Sequence, residues 1–251
     1  MKVYFVGAGP GDPELLTLKA KRIIAEADVI IYAGSLVNPE ILKLAKDGAA
    51  LFDSAAMTAE DITQVLSRSQ GKLVARLHSG DPSIFSAIQE LLDWCRKHSI
   101  DFEVVPGVSA SSAASAALKQ ELTLPGVSQT VILSRIGGHT QVPAGQELRE
   151  LARTGATLVL FLSVHLIEEV VAQVKDFYSL DTPVAVVERA SWPEERVVRG
   201  TLADIANKVK EAGILRTAII VIGHVLGEGY QRSRLYDPEF EHSYRKRKCT
   251  P

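Results

Sequence analysis

Short apolar runs alternate with amphipathic stretches along the first 118 residues of the chain. The runs predict strands at Lys2–Val6, Asp28–Tyr32, Ala50–Asp53, Leu73–His78 and Phe102–Val105. The stretches after them predict helices at Glu14–Ala27, Glu60–Ser69, Ile84–His98 and Ser109–Leu118. This alternation is typical of a parallel sheet with helices on both faces. The uninterrupted apolar run "DVIIY" favours a strand that is covered on both sides.

The second half repeats the alternation, but a hairpin turn is predicted between two of its strands. Strands are predicted at Gln129–Arg135, Ala156–Leu162, Thr182–Glu188, Arg196–Gly200 and Thr217–Gly223, and helices at Gly145–Thr154, His165–Lys175 and Leu202–Ala212. Thr201 is placed to cap the last helix, with Asp204 as its capping-box partner. The segment "ASWPEER" predicts a hairpin turn between two strands, so this sheet should be mixed. We therefore expect two α/β domains, residues 1–117 and 118–251.

Composition restricts the function classes. The formal net charge of −2 and the 6% share of aromatic residues argue against a nucleic-acid binder. No apolar run approaches the roughly 18 residues that a membrane span needs, and no secretory signal pattern opens the chain. Its two cysteines, Cys95 and Cys249, form no metal-type pair, and this low count favours a cytoplasmic location. We expect no protein-bound metal.

The stretch "GAGPGDPELLTLKA", which follows the first strand, raises the question of a dinucleotide. The fingerprint of such sites needs a third glycine, but Asp12 stands in its place. Pro10 lacks the N–H that a phosphate would accept. Asp12 should instead cap a helix that begins at Pro13, so its carboxylate occupies the positive helix end. The second strand also ends without an acid for a ribose, and the dinucleotide hypothesis fails.

Two further strands of the predicted sheet also end in Gly/Pro turns. They read "LHSGDPSIF", residues 77–85, and "VVPGVSA", residues 104–110. In open α/β sheets the ligand crevice lies outside the carboxyl ends of the strands. Glycine there lets the backbone approach a ligand, and proline fixes the turn. An uncharged, backbone-lined pocket with one or two carboxylates favours a cationic or zwitterionic ligand over a phosphate. Asp81 is a candidate ligand residue here, and a helix cap is the alternative.

These three motifs resemble the tetrapyrrole methylase family, the class III methyltransferases that depend on S-adenosyl-L-methionine (SAM). The resemblance runs from Val3 to about Leu226. Within the family, "IYAGSLVNPEIL", "FDSAAMT", "ELTLPGVSQTVILSR" and "ERASWPEERVVRGTL" look like the branch that methylates carbon 11 of precorrin-4 or cobalt-precorrin-4. Ala33 stands where uroporphyrinogen methylases carry an aspartate, which argues against that substrate. The loop "GGHTQVP" and the pair Phe85-Ser86 depart from the carbon-11 pattern.

The resemblance implies which residues hold the cofactor, and it leaves the substrate contacts less defined. SAM, with S-adenosyl-L-homocysteine as product, would lie in an active-site cleft between the two domains. It would contact Pro10, Ser79, Gly80, Asp81, Ile84, Ser109, Ala110, Leu162, Ala190 and Ala218. A macrocycle ringed by carboxylates suits cationic partners, and the candidates are Arg135, His139, Arg189 and Arg196. For each arginine, a surface or structural ion pair is the alternative. A homodimer is expected from the family.

Several functional questions stay open at this point. Methylation of another corrin carbon, 17 or 20, and a non-catalytic tetrapyrrole carrier are alternatives to the carbon-11 enzyme. The sequence does not say whether the substrate contains cobalt, and it identifies no catalytic residue. His78 follows the second motif and is a candidate to face the ligand. For His78, His165 and His224 alike, a partly buried histidine with satisfied hydrogen bonds is the alternative.

Overall fold

The computed structural model describes residues 1–138, 140–237 and 239–246. In the first half the strands are β1 Lys2–Gly7, β2 Val29–Tyr32, β3 Ala50–Asp53, β4 Leu73–His78 and β5 Asp101–Val105, and the helices are α1 Leu18–Glu26, α2 Pro39–Leu42, α3 Ala59–Ser67, α4 Gln89–Lys97 and α5 Ala110–Leu118. In the second half the strands are β6 Val131–Ser134, β7 Thr157–Leu160, β8 Pro183–Glu188, β9 Arg196–Thr201 and β10 Ala218–Ile222, and the helices are α6 Leu148–Ala152, α7 Ile167–Val174 and α8 Ile205–Glu211.

The chain divides into two compact units. The first unit contains Met1–Leu118 together with Val187–Val197 and Thr217–Ile219. The second contains Lys119–Val186, Val198–Arg216 and Ile220–Pro251. The two short segments that join the first unit lie far along the chain, and a single boundary at residues 117–118 does not predict them.

The first unit is built on a five-stranded sheet in the order β3-β2-β4-β1-β5. All its neighbouring strands are parallel, as predicted. This order makes β4, β1 and β5 neighbours, and these are the strands that end in the three Gly/Pro turns. Because parallel strands end at the same edge, the turns meet there.

Apolar side chains cover both faces of this sheet, which explains why its strands lack alternation. On one face, Val6, Ile30 and Leu77 pack with Ile23 and Ile24 of α1. The opposite face carries a second core, which contains Phe5, Ile31, Val74, Leu66 of α3 and Leu92 of α4. The predicted α/β class, with helices on both faces of the first sheet, is confirmed.

The predicted helix over residues 14–27 begins later than expected. Asp12 caps a short 3₁₀ turn, Pro13–Leu15, and its Oδ1 accepts the N–H of Glu14 at 2.8 Å. Thr17 then caps α1 through the N–H of Ala20 at 3.1 Å. The cap at Asp12 is confirmed, but it belongs to the 3₁₀ turn, and the amino terminus of α1 is capped by Thr17.

Other helix starts were also predicted too early, among them those of α4 and α8. Helix α4 begins at Gln89 instead of Ile84, because Phe85 and Ala87 have φ angles of 51° and 48°. Those left-handed conformations cannot continue a right-handed helix. Helix α8 begins at Ile205, and Asp204 accepts the backbone N–H of Thr201 at 2.8 Å, so that half of the predicted capping box forms.

The second sheet has the order β6-β7-β10-β8-β9. Strand β7 is parallel to β6 and antiparallel to β10, so the sheet is mixed, as predicted. Strands β8 and β9, which "ASWPEER" connects, are neighbours. Within the described ranges, no helix has the length and apolar character to cross a membrane.

Candidate functional site

The turns after β1 and β4 are joined by backbone hydrogen bonds. Gly9 and Gly80 form an isolated antiparallel bridge, with N–H···O distances of 3.3 and 2.7 Å. Both glycines have φ angles of 69°, in the left-handed region that glycine tolerates without a Cβ clash. Directly before the bridge, the N–H of Ala8 donates to the carbonyl of His78 at 2.8 Å. The two turns therefore form one continuous backbone surface.

The third turn packs against this surface at Gly107. A Cβ added to Gly107 would lie 2.3 Å from the carbonyl oxygen of Gly80 and 2.8 Å from the Cα of Gly7. A Cβ added to Gly7 would meet the backbone nitrogen of Gly107 at 2.5 Å. Glycine is required at both positions because backbone meets backbone there. The three motifs thus form one unit, in which their glycines contact each other.

Asp81 fastens the second turn to the third. Its Oδ2 accepts the N–H of Gly107 at 2.9 Å. Its Oδ1 accepts the N–H of Ser83 at 2.8 Å and also the hydroxyl of Ser83. Burial acts to raise the pKa of Asp81, but the hydrogen bonds from the Ser83 hydroxyl, Gly107 and the Ser83 N–H outweigh it and hold the pKa below its ordinary value. Asp81 therefore caps its own turn through Ser83 and links it to the third turn through Gly107.

The first turn is held from its other side by the segment between β8 and β9. Trp192 donates its indole N–H to the carbonyl of Pro10 at 2.8 Å, and its ring packs on Gly11. The hydroxyl of Ser191 accepts the N–H of Asp12 at 3.0 Å. Asn38, which is buried, donates to the carbonyl of Gly11 at 2.9 Å. The polar backbone atoms of this turn are therefore fixed by three side chains.

The family resemblance implies that these turns hold SAM, so we expect Trp192→Phe to weaken the binding of S-adenosylhomocysteine by about three- to tenfold. The substitution removes one neutral hydrogen bond to the first turn and part of the ring contact with Gly11. Calorimetric titration measures this affinity. Trp94→Phe is the matched control, since Trp94 lies on α4 and stacks on His98. Equal affinity of Trp192→Phe and Trp94→Phe would contradict the role assigned to the indole.

Nine of the ten predicted cofactor residues lie in the first unit, and Leu162 lies in the second. Ser79 follows β4 directly, is half-buried, and its hydroxyl has no hydrogen-bond partner among the described residues. Ser109 precedes α5, and its carbonyl accepts the first helical N–H groups, from Ser112 and Ala113. Ala190 and Ala218 are buried, and the bond from Arg189 N–H to the Thr217 carbonyl, at 2.9 Å, joins their two segments.

Left-handed backbone conformations are concentrated at or next to the predicted cofactor residues. Among described residues other than glycine, eight have left-handed φ angles, and five of them are predicted cofactor residues or their neighbours: Phe85, Leu162, Arg189, Ser191 and Thr217. Residues held in such conformations cluster at ligand sites, where the surrounding structure holds them. This distribution supports the cofactor residues carried over from the family, whose ligand contacts stay a prediction.

The predicted substrate arginines all contact protein groups. Arg135 donates to the carbonyls of Ile136, Thr140 and Gln141. Arg189 lies over the Trp192 ring and 3.8 Å from Glu194, and Arg196 pairs with Glu188 at 2.6 Å. Arg189 and Arg196 therefore form ion pairs within the protein, which was the alternative to a substrate role. His139 lies outside the described residues, and the substrate role of all four stays a prediction.

A buried polar pair on β4 contains Arg76, the residue that motif reasoning missed. Arg76 and His78 are 9% and 6% exposed, and both belong to an otherwise apolar strand. Burial lowers the pKa of Arg76 to about 10, and burial with the nearby Arg76 charge lowers that of His78 to about 3. The signal in the sequence was the arginine inside the apolar run "LVARLH".

The described residues contain no group of three or more His, Cys, Asp or Glu side chains placed to hold a metal ion.

The hydrogen bonds of His78 are incomplete, because its Nε2 lacks a hydrogen-bond partner. His78 therefore does not match the alternative of a partly buried histidine with satisfied hydrogen bonds.

Comparison with curated proteins places the chain among corrin enzymes. A profile of the Tetrapyrrole (Corrin/Porphyrin) Methylases matches residues 2–206. The chain is 54% identical over 249 residues to a cobalt-precorrin-4 C(11)-methyltransferase of Methanocaldococcus jannaschii, which covers 98% of this chain and 96% of that protein. It is 47% identical over 240 residues to a precorrin-4 C(11)-methyltransferase of Rhodococcus erythropolis, with 94% and 96% covered.

Solved structures agree with this placement. A cobalt precorrin-4 methyltransferase, described as a cobalamin biosynthetic enzyme, superposes with a TM-score of 0.88 at 40% identity, over 90% of this chain and 96% of that chain. A uroporphyrin-III C-methyl transferase from Thermus thermophilus, complexed with S-adenyl homocysteine, superposes with a TM-score of 0.77 at 30% identity. The match covers 90% of this chain and 99% of that chain. The chain belongs to the tetrapyrrole (corrin/porphyrin) methylases.

Proposed function

We propose that the chain is a SAM-dependent C-methyltransferase of cobalamin biosynthesis that methylates carbon 11 of precorrin-4 or cobalt-precorrin-4. The observation that carries the proposal is the 54% identity, over 98% of the chain, to a cobalt-precorrin-4 C(11)-methyltransferase. Ala33, in place of the aspartate expected in uroporphyrinogen methylases, supports the same choice of substrate.

The joined turns fit a SAM-type cofactor by their chemistry. They offer backbone groups and small side chains, and their carboxylates, Asp12 and Asp81, carry negative charge beside them. No arginine or lysine occurs in the three turns, residues 7–12, 79–84 and 107–110. A zwitterion with a sulfonium charge suits such a surface better than a phosphate, which needs positive partners. Pro10, Ser79, Gly80, Asp81, Ile84, Ser109, Ala110, Leu162, Ala190 and Ala218 are the proposed contacts.

The role of the protein is orientation. Bound SAM supplies an activated methyl group, so the protein need not supply a nucleophile. The fixed turns hold the cofactor, and cationic side chains hold the carboxylated macrocycle with its acceptor carbon in line. Holding two reactants in a near-attack geometry lowers the barrier by about 7–11 kcal/mol. Arg135, His139, Arg189 and Arg196 are the proposed substrate contacts.

The remaining parts of the proposal concern organisation. We expect a homodimer, as in the family that the chain belongs to, and a cytoplasmic location, since the chain has only two cysteines. Residues 1–117 and 118–251 are the proposed domains, the first with the substrate trough and part of the cofactor site. The main segment of the first compact unit ends at Leu118, close to that boundary.

Methyl-labelled SAM tests the activity directly. We expect label transfer to precorrin-4 or cobalt-precorrin-4, and NMR of the product should place the label on carbon 11. Parallel assays with and without cobalt decide which form has the higher kcat/KM. Label on carbon 17 or 20 would reassign the enzyme, and no transfer by folded protein would refute the activity. Macrocycle binding without affinity for S-adenosylhomocysteine would identify a carrier.

A further inference from the structure

The first sheet carries a charged side chain at a position where its neighbours are apolar. Arg76 lies in β4, opposite Phe5 of β1 and Ile31 of β2. Those two neighbours belong to the apolar core that α3 and α4 cover. His78 follows two residues later on the same face, and its ring lies 6.2 Å from that of Phe5. The pair ends at the carboxyl edge of the sheet, directly before the Ser79–Asp81 turn.

Little in the protein satisfies these two side chains. The Nη1 of Arg76 donates to the hydroxyl of Ser54 at 2.8 Å. That hydroxyl in turn donates to the carbonyl of Tyr32 at 3.0 Å, which fixes its orientation. The Nε of Arg76 and the Nε2 of His78 are enclosed and have no hydrogen-bond partner. Native proteins pair most buried polar atoms, so two adjacent exceptions need a reason.

The charge of Arg76 also lacks a counter-ion. Across the described part of the chain, no carboxylate lies within 4.0 Å of its guanidinium. Burial alone accounts for its lowered pKa, without any compensating negative group. A buried, unpaired cation is destabilising, and an apolar side chain would suit this position better. The arrangement is one that a bound anion would complete.

We propose that Arg76 and His78 form a carboxylate-binding subsite that takes one acidic side chain of the tetrapyrrole macrocycle. The inference rests on the proposed function for the nature of the ligand. A guanidinium with free N–H groups binds a carboxylate in a directed, charge-assisted way, and neutral His78 adds one donor or acceptor. Ser54 holds the guanidinium in place. The subsite borders the turn of Ser79, so it would anchor the substrate beside the proposed cofactor site.

The carboxylate of the cofactor is the other possible source, and the chemistry of the two differs. The cofactor has a single carboxylate beside an ammonium group, which Arg76 would repel. The macrocycle carries several carboxylates without adjacent cations. The subsite has two cation- or donor-bearing side chains and no acid, so it favours the macrocycle.

The test uses apolar variants of similar size, Arg76→Met and His78→Phe, in the full-length protein. We expect the KM for precorrin-4 or cobalt-precorrin-4 to rise about tenfold or more in Arg76→Met, since a charge-assisted bond is lost. The affinity for S-adenosylhomocysteine should not change. The melting temperature should stay level or rise, because removing a buried unpaired charge is often stabilising. A structural role for Arg76 would lower it instead.

Two further variants complete the set. Arg76→Lys keeps the charge without the guanidinium fork and should raise KM less than Arg76→Met does. Arg22→Met is the control, since Arg22 is exposed and pairs with Glu26 on α1. It should leave KM unchanged. An unchanged KM in Arg76→Met would overturn the proposal, as would a parallel loss of S-adenosylhomocysteine affinity, which would assign the arginine to the cofactor.

Binding of uroporphyrin III, a stable carboxylated macrocycle, separates this inference from the proposed activity. Quenching of protein fluorescence measures that binding without turnover. If the wild-type protein transfers no methyl group but binds uroporphyrin III, weaker binding by Arg76→Met still supports the subsite. Equal binding by both proteins would overturn it. If the wild-type protein neither transfers nor binds, both the activity and the subsite are refuted.

Discussion

Gly107→Ala is expected to abolish cofactor binding and to lower the free energy of unfolding by about 2–4 kcal/mol. The new Cβ would lie 2.3 Å from the Gly80 carbonyl oxygen and 2.8 Å from the Cα of Gly7. Neither atom belongs to a flexible side chain, so the strain must move a turn. Moving Gly107 would also stretch its bond to Asp81, and moving Gly80 would break its bridge to Gly9.

Denaturant unfolding and calorimetric titration with S-adenosylhomocysteine measure the two effects separately. Gly138→Ala is the matched control, because a Cβ there meets no atom within 4 Å and the residue has no left-handed φ angle. It should leave both quantities close to wild type. If Gly107→Ala bound the cofactor product normally, the close packing of the three turns would have no bearing on the cofactor site.

The glycines of these turns show how far the sequence could be interpreted. The motif pattern predicted that three strand ends would meet at one sheet edge, and the strand order β4-β1-β5 confirms this. It attributed the glycines to close approach by a ligand. In the structure Gly7, Gly80 and Gly107 approach each other instead. Spacing along the chain does not reveal which turns touch, because strand order is set by packing across the whole sheet.

Other differences have equally local causes. The predicted start of α4 at Ile84 ignored the left-handed Phe85 and Ala87, conformations that residue type does not announce. The contact of Trp192 with Pro10 joins residues 182 positions apart and follows from no motif. Arg76 was visible as a charge within an apolar run. A single arginine in a strand matches no motif, and its lack of a counter-ion among the described residues depends on contacts that only the fold brings together.

Asp81→Asn is expected to weaken the binding of S-adenosylhomocysteine about tenfold or more and to lower stability by about 1–3 kcal/mol at neutral pH. The carboxylate accepts from Gly107 through one oxygen and from Ser83 through the other. An amide has only one oxygen, so its NH₂ group must face one of these N–H donors. The second and third turns would then lose their link or the local cap.

The pH dependence gives an independent check on this role. The folded-state pKa of Asp81 lies below its ordinary value, so its stabilising contribution is complete above an unfolded pKa of about 4 and is lost as the pH falls through the folded value. The stability difference between the wild-type protein and Asp81→Asn should therefore be constant from pH 7 down to about pH 5 and shrink in stronger acid.

Asp93→Asn controls for the removal of a surface charge, since exposed Asp93 pairs with Arg96 on α4, away from the turns. It should keep the cofactor affinity of the wild type, because surface pairs contribute little. If Asp81→Asn matched Asp93→Asn in both stability and affinity, the carboxylate would not be what joins the turns. If stability fell and affinity did not, Asp81 would serve the fold alone, and the cofactor surface would have to be built without it.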